Sequence, residues 1–235
     1  IKRPLGVAER YIYKKKISLP EGFMKDRLLV HFGAVDQIAY VYLNGSFAGE
    51  HVGGYLPFTL DLTSLLCEGV NELVVEVEDT LDTELGYGKQ TYKRGGMWYT
   101  PVSGIWQTVW LEWVPVNYIR SIRMTPDIDQ RHLVLEIDTK QPIKYCEINI
   151  YDDEENCVAS YLKMEDNILH PKNDDLKSEN TYSENENKFE LLIPEAKLWT
   201  PEHPHLYTIE IQTDDDKISS YFAMRSWTLE KDDKG

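Results

Sequence analysis

Apolar residues recur with a period of two along most of this chain, and almost no stretch sustains the 3.6-residue spacing of an amphipathic helix. Asn71 to Glu78 is the clearest case, with Leu73, Val75 and Val77 facing one way. Arg27 to Gly33 places Leu28, Val30 and Phe32 together, and Ile38 to Leu43 follows as a further strand. Asn44-Gly45 then offers two residues that tolerate the positive φ of a type I′ turn, so Phe47 to His51 returns as a hairpin partner. A chain patterned in this way buries its apolar faces sheet against sheet. The expected class is all-β.

The rest of the first half extends this pattern. Val7 to Leu19 reads as a strand ending in a Pro20-Glu21-Gly22 turn, and Lys14 to Lys16 read as the charges that keep an edge strand from pairing with strangers. The Gly53-Gly54 pair allows a tight bend, after which Phe58, Leu60 and Leu62 alternate inward. Thr63 to Leu66 suggests one short helical turn, and Thr80 to Arg94 a long polar loop. That loop leads into Gly96 to Trp113, which holds Trp98, Trp106, Trp110 and Trp113. Its first part is punctuated for a loop and its second part reads as a strand. Flat indoles on a loop suit the apolar faces of sugar rings, and they equally suit a sandwich core. Trp98 and Tyr99, which precede the strand, fit the first use better.

After Trp113 the texture changes. Val114 to Asn117 reads as a linker, and seven short strands follow, at Tyr118–Met124, His132–Asp138, Ile143–Tyr151, Cys157–Lys163, Lys188–Ile193, Leu206–Thr213 and Ile218–Met224. Their number and spacing fit an immunoglobulin-like sandwich. Glu165 to Asn187 is a polar, Asn/Glu-rich tract that reads as a mobile excursion, and Glu230 to Gly235 as a frayed tail. The expected division is 1–116, 117–229 and a tail at 230–235.

Charge and cysteine content exclude several function classes. A formal net charge of −15 repels phosphate backbones, so no nucleic-acid partner is expected, and a neutral or cationic ligand suits the chain better. No apolar run approaches the ~18 residues of a membrane helix, so no membrane partner is expected either. Ile1-Lys2-Arg3-Pro4 is no signal peptide, and without an initiating Met the sequence reads as cut from a longer chain. Cys67, Cys146 and Cys157 fit neither a disulfide framework nor a zinc site; Cys146 and Cys157 could meet across neighbouring strands, but buried free thiols are the expected state. This leans towards a reducing, cytoplasmic compartment, with periplasmic and secreted locations left open. No cofactor motif, phosphate loop or Ser/His/Asp order stands out.

Several segments together resemble the N-terminal region of family 2 glycoside hydrolases, the group of β-galactosidases, β-glucuronidases and β-mannosidases. Val30 to Asp36 with Tyr42-Leu43-Asn44-Gly45 looks like a strand pair of that family's sugar-binding jelly-roll domain, which is galactose-binding-like in fold. His51 to Thr63 is similar to its "H-x-G-G-Y-x-P-F-x-x-D-x-T" segment, and Ser103 to Val109 to the end of the same domain. Leu198 to Tyr207 resembles the "L-W-x-P-E-x-P-x-L-Y" element of its immunoglobulin-like domain, and Tyr221 to Arg225 the strand leading to a catalytic barrel. The resemblance implies a jelly-roll sandwich followed by an immunoglobulin-like sandwich. It implies an accessory part of a retaining glycosidase, with its two glutamates on a (β/α)₈ barrel downstream. The implied partners are a carbohydrate substrate, that barrel and, as an option, further copies of the same chain.

No residue of this chain is expected to be catalytic, and none to bind metal. Asn71-Glu72 and Asn185-Glu186 repeat the family's "N-E" dipeptide only at a turn and in the polar tract. Glu76, Glu78, Asp79, Asp82 and Glu84 read as a solvated strand end, with calcium binding as the lesser option. Several members of that family place an aspartate just before the Ser-Gly-Ile segment to hold the sugar. Between Lys93 and Gln107 this chain has no acid, so that contact is either absent or supplied by Lys89, Gln90 or the Tyr99 hydroxyl, and these with Trp98 are the substrate-binding candidates. His203 and His205 read as loop residues, and His31 and His51 as structural histidines on or beside strands. The rival readings are an autonomous carbohydrate-binding module and a purely structural or adhesive sandwich.

Overall fold

The computed structural model describes residues 10–19, 26–93, 95–164, 169–171, 187–229 and 231. The expected Pro20-Glu21-Gly22 turn, most of the polar excursion and most of the tail lie outside the described residues. The chain forms two compact units, Ile1–Pro115 and Val116–Gly235. Both are built of strands, and the one described helical piece is the short 3₁₀ turn Thr63–Leu65.

In the first unit, β1 (Arg10–Ser18), β2 (Arg27–Phe32), β3 (Val35–Asp36), β4 (Ile38–Leu43), β5 (Ser46–Val52), β6 (Phe58–Asp61), β7 (Val70–Glu78), β8 (Gly104–Ile105) and β9 (Val109–Val114) make a jelly-roll sandwich. One sheet has the order β1-β7-β4-β5, the other β6-β2-β9, and β3 pairs with β8 alone. Register explains which side chains enter the core. Val30 lies opposite Leu111 and Leu28 opposite Trp113, so the inward face of β9 carries Val109, Leu111 and Trp113. Trp113 is therefore core, whereas Trp106 and Trp110 are about half exposed. Trp110 instead stacks on His31 across the outer face, with ring centroids 4.8 Å apart. His31 Nδ1 lies 2.8 Å from Thr59 Oγ1, which fixes the ring on that side, and Nε2 lies 3.0 Å from Glu112 Oε2 without forming a hydrogen bond to it.

Asn44 and Gly45 both have positive φ, as their turn requires. The Asn44 side chain donates to Asn71 Oδ1 and accepts from the Glu72 N–H, which ties the hairpin tip to the start of β7. Lys14 to Lys16 lie on β1, an edge strand as expected. The Tyr13 hydroxyl accepts from the Ile105 N–H at 3.3 Å and rests against Gly104, whose φ of +107° and missing Cβ make room for it.

The second unit pairs β10 (Ser121–Asp127), β11 (His132–Asp138) and β15 (Lys188–Leu192) in one sheet. The facing sheet has the order β14-β13-β12-β16-β17, made of β12 (Cys146–Tyr151), β13 (Cys157–Lys163), β14 (Leu169–Pro171), β16 (Tyr207–Thr213) and β17 (Lys217–Phe222). Between them lies a core that includes Leu133, Leu135, Ile148, Ile150, Tyr161, Tyr207 and Ile209. This is the immunoglobulin-like sandwich. Tyr161 satisfies its buried hydroxyl by donating to the Leu192 carbonyl at 2.6 Å, and burial pushes its pKa up to about 12. The Leu198 to Tyr207 element is a turn-rich connection, and the N–H of Lys197 just ahead of it donates to the Tyr207 hydroxyl at 2.7 Å. The Arg225 guanidinium lies 4.0 Å from the ring centroids of both Trp199 and Trp227.

The cysteines do not pair. Cys146 faces Lys163 and Cys157 faces Tyr151, at opposite ends of the β12–β13 ladder, and all three thiols are free. Burial holds the Cys146 pKa up near 12, as a buried thiol requires, whereas Cys157, against expectation, is exposed at the start of β13, and Cys67 is exposed as well. A thiol reagent such as dithionitrobenzoate is expected to titrate two thiols rapidly in the native chain and the third only after denaturation. A third fast thiol would mean that Cys146 is not in the core.

Candidate functional site

The segment from Asp79 to Ser103 has little repetitive structure, and its backbone is organised by buried polar side chains. Asp36 at the end of β3, Asp79 just after β7 and Gln90 inside the loop are each at least nine-tenths buried. Gln90 Nε2 donates to Asp36 Oδ2 at 2.9 Å, and Gln90 Oε1 accepts from the Val102 N–H at 2.6 Å. Asp79 accepts from the Leu81 N–H at 2.9 Å and from Ser103 Oγ at 2.5 Å. Gln37 grips the same loop further on, donating to the Asp82 carbonyl at 3.0 Å and accepting from its N–H at 3.3 Å. The loop is thereby pinned at Leu81, Asp82, Gln90, Val102 and Ser103.

Two buried aspartates near one another raise the question of acid–base chemistry. Burial pushes the Asp36 pKa up, the Gln90 hydrogen bond draws it back, and the charge of Asp79 pushes it up again. Yet both carboxyl groups are committed to partners in the loop segment, and a Cβ at Gly54 would come within 2.5 Å of Asp36 Oδ1. They brace a loop and offer no face to a substrate. Among the described residues no group of His, Cys, Asp and Glu is placed to hold a metal ion.

The pinned loop presents aromatic side chains outward. Gln90 and Tyr99 form a parallel bridge, flanked by hydrogen bonds from the Tyr99 N–H to the Lys89 carbonyl at 3.0 Å and from the Thr91 N–H to the Tyr99 carbonyl at 3.1 Å. Trp98 is 42% exposed and Tyr99 64% exposed, beside exposed Met97 and Tyr92. Lys89 is exposed with φ near +60°. A second aromatic group comes from β8 and the glycine bend. Trp106 donates from Nε1 to the Gly54 carbonyl at 2.8 Å, and Tyr55 meets its ring edge-on at 5.8 Å between centroids. Tyr55 in turn leans its hydroxyl on Gly88, where φ is +59°.

Of the four residues expected to contact a sugar, the structure places Lys89, Trp98 and Tyr99 on one exposed loop. Gln90 is different: it is buried, and its amide nitrogen and oxygen each bond inside the protein, so it positions the loop. The acid cluster at the end of β7 also divides. Glu76 and Glu78 pair with Arg10 on the outer face, whereas Asp79 turns inward. From the sequence, Asp36, Ser103 and Tyr55 are missed, Asp79 reads as solvated, and Trp106 is weighed evenly between a sugar-facing and a core position. The Ser103-Gly104 step was their only local signal, since a small polar residue beside a glycine permits close backbone approach.

Comparison with known proteins covers both units. Residues 3–115 match the family model "Glycosyl hydrolases family 2, sugar binding domain" and residues 117–225 match "Glycosyl hydrolases family 2". A putative beta-glucuronidase of Formosa agariphila is 27% identical over 203 residues, which are 85% of this chain and 22% of that protein. A beta-galactosidase of Thermoanaerobacter pseudethanolicus is 26% identical over 201 residues, 85% of this chain and 25% of that protein. The solved structure of an uncultured Clostridium sp. beta-glucuronidase superposes with a TM-score of 0.68 at 26% identity, covering 94% of this chain and 36% of that one. The chain thus spans about a quarter of the length of the curated relatives it matches.

Proposed function

Because this chain belongs to family 2 of the glycosyl hydrolases, we propose that it is the accessory front part of a retaining glycosidase and shapes one wall of a sugar pocket. Bond cleavage in this reading belongs to carboxyl groups outside the chain. The observation that carries it is the commitment of Asp36 and Asp79 to internal hydrogen bonds, beneath a loop that turns Trp98 and Tyr99 to solvent. Retaining hydrolysis needs two carboxyl groups about 5–5.5 Å apart with room for a sugar between them, and braced, buried aspartates do not provide that.

The loop's local charge bears on the substrate. From Leu85 to Leu111 there is no aspartate or glutamate, while Lys89 and Lys93 supply cations, in a chain of net charge −15. An anionic group on a sugar therefore meets no like charge along this stretch. β-Galactosides and β-glucuronides are the substrate classes to try first, and the loop charge favours the second.

The 235-residue chain alone should not turn over nitrophenyl β-galactoside or β-glucuronide, and turnover by it would overturn the proposal. In the longer parent protein, Trp98→Ala should lower kcat/KM by about tenfold, equivalent to ~1.4 kcal/mol of transition-state binding. Unchanged kinetics there would remove Trp98 from the sugar wall. The exposure of Trp98 and Tyr99 also favours a second reading, an autonomous carbohydrate-binding module. That reading requires saturable quenching of Trp98 fluorescence by a free sugar in the isolated chain.

A further inference from the structure

The first unit holds an open cleft of about 610 Å³ between its two sheets, along the flank where β1 ends one sheet and β9 ends the other. Its floor and walls include Ile17, Val30, Phe32, Val75, Val109 and Leu111. The Tyr13 ring lines it near β8, and the hydroxyl of that ring is already engaged by Ile105. Such a volume is ordinary for a small-molecule site, but its lining is mainly apolar, with Tyr13, Phe32 and Trp110 beside the aliphatic side chains, and few of its side chains can hydrogen-bond a ligand. A sugar would leave most of its hydroxyls unpaired there, at a cost for each one. An apolar chain would not.

The rim supplies a charge of one sign. Lys15 lies opposite Leu73 in the β1–β7 ladder, and Tyr13 lies opposite Val75, so Lys15 shares the inward face of β1 with Tyr13 and Ile17. Leu73 and Val75 are both core residues. A lysine in this position lays its methylene stem on the apolar wall and keeps its ammonium at the mouth. Lys14 and Lys16 alternate to the outer face. Among the described residues the cleft lining holds no carboxylate, although carboxylates outnumber cations in the chain by 15, and of the three lysines along it only Lys15 faces inward. From Tyr13 to Ile17 the strand runs roughly 14 Å, enough for an extended aliphatic chain of moderate length.

We propose that this cleft binds a linear aliphatic carboxylate, with its hydrocarbon chain between the sheets and its headgroup on Lys15. Apolar burial supplies the driving force, and the single inward ammonium fixes the orientation. The site stands independently of the sugar-wall reading, since it shares none of Lys89, Trp98 and Tyr99.

The test is calorimetric titration of the 235-residue chain with decanoate below its micelle-forming concentration. One saturable site per chain is expected. Lys15→Met should weaken it by about tenfold or more, and Lys15→Arg should restore most of the affinity. Lys14→Met and Lys16→Met should each change it by less than about twofold, as suits exposed charges on the far face. Decan-1-ol should bind no better than decanoate binds the Lys15→Met variant. All of these substitutions are at exposed positions, and circular dichroism should show an unchanged fold. Absence of a saturable site, or equal losses at all three lysines, would overturn the proposal. So would sedimentation showing that a second copy occupies the β1 edge and excludes decanoate.

Discussion

Gln90→Ala is expected to release the aromatic loop while leaving the sandwich beneath it folded. The substitution strips the donor from the Asp36 carboxyl group and the acceptor from the Val102 N–H together. Each orphaned buried group costs about 1–3 kcal/mol, and more where the group is charged. Exposed side chains such as Trp98 add no compensating burial. The variant should lose thermal stability and become open to proteolysis between Leu81 and Val102, with the β-sheet circular dichroism retained. Unchanged proteolysis and an unchanged Tm would show that Gln90 does not hold the loop.

Asp36→Asn separates the hydrogen bond from the charge. An asparagine keeps an oxygen for Gln90 and removes a carboxylate that burial and Asp79 both oppose. Asp36 has a folded pKa above its ordinary value of 3.8, so the folded state holds a proton that the unfolded state has lost. Its favourable contribution is complete below pH 3.8 and disappears as pH rises through the folded value. Asp36→Asn should therefore gain stability relative to the parent chain as pH climbs out of the acid range, and match or exceed it at pH 7. A variant that falls further behind as pH rises would reverse the sign of this argument.

Phe32→Ala should be the most damaging single truncation in the first unit. Phe32 is fully buried and stacks on Phe58 at 4.7 Å between centroids, and His51 stacks on the other side of that ring at 4.3 Å. Deleting a buried phenylalanine side chain costs about 3–5 kcal/mol when the site cannot collapse. Sheet strands on both sides of β2 hold the backbone in place, so little collapse is expected. A fall in Tm of roughly 10–20 °C follows for a unit of this size. Phe32→Leu should cost under about 1.5 kcal/mol, because it retains most of the volume. Equal losses in the two variants would mean that ring stacking, and not volume, governs the site.

The strands were legible because their alternation is a local property. Leu73, Val75 and Val77 declare their face without knowledge of any partner, and Asn44-Gly45 declares its turn. The two-residue ladder between β3 and β8 was not, since Val35-Asp36 and Gly104-Ile105 are too short to show any period. The tryptophans illustrate a different limit. Which of Trp106, Trp110 and Trp113 faces inward depends on the register of β9 against β2, and register lies between segments, not within one. The loop-pinning residues were hidden for the same reason. Asp79 sits in a run of acids that looks solvated, and its partner Ser103 and the acceptor role of Asp36 come from far along the chain. Lys89, Trp98 and Tyr99 were recognisable as loop residues because nothing in their surroundings is apolar with a period. Gln90 shares that local texture, and only the fold reveals that it points the other way.

The two hydroxyl-on-glycine contacts carry a consequence for how such sequences diverge. Tyr13 rests on Gly104 and Tyr55 on Gly88, in each case occupying space that any larger residue would claim. Neither glycine can drift alone, and loss of either ring would leave an unfilled gap beside an unusual backbone torsion. Homologous chains should therefore inherit or exchange these residues as couples. Joint replacement of both members should be seen in descent far more often than replacement of one, even though each couple is separated by dozens of positions along the polypeptide.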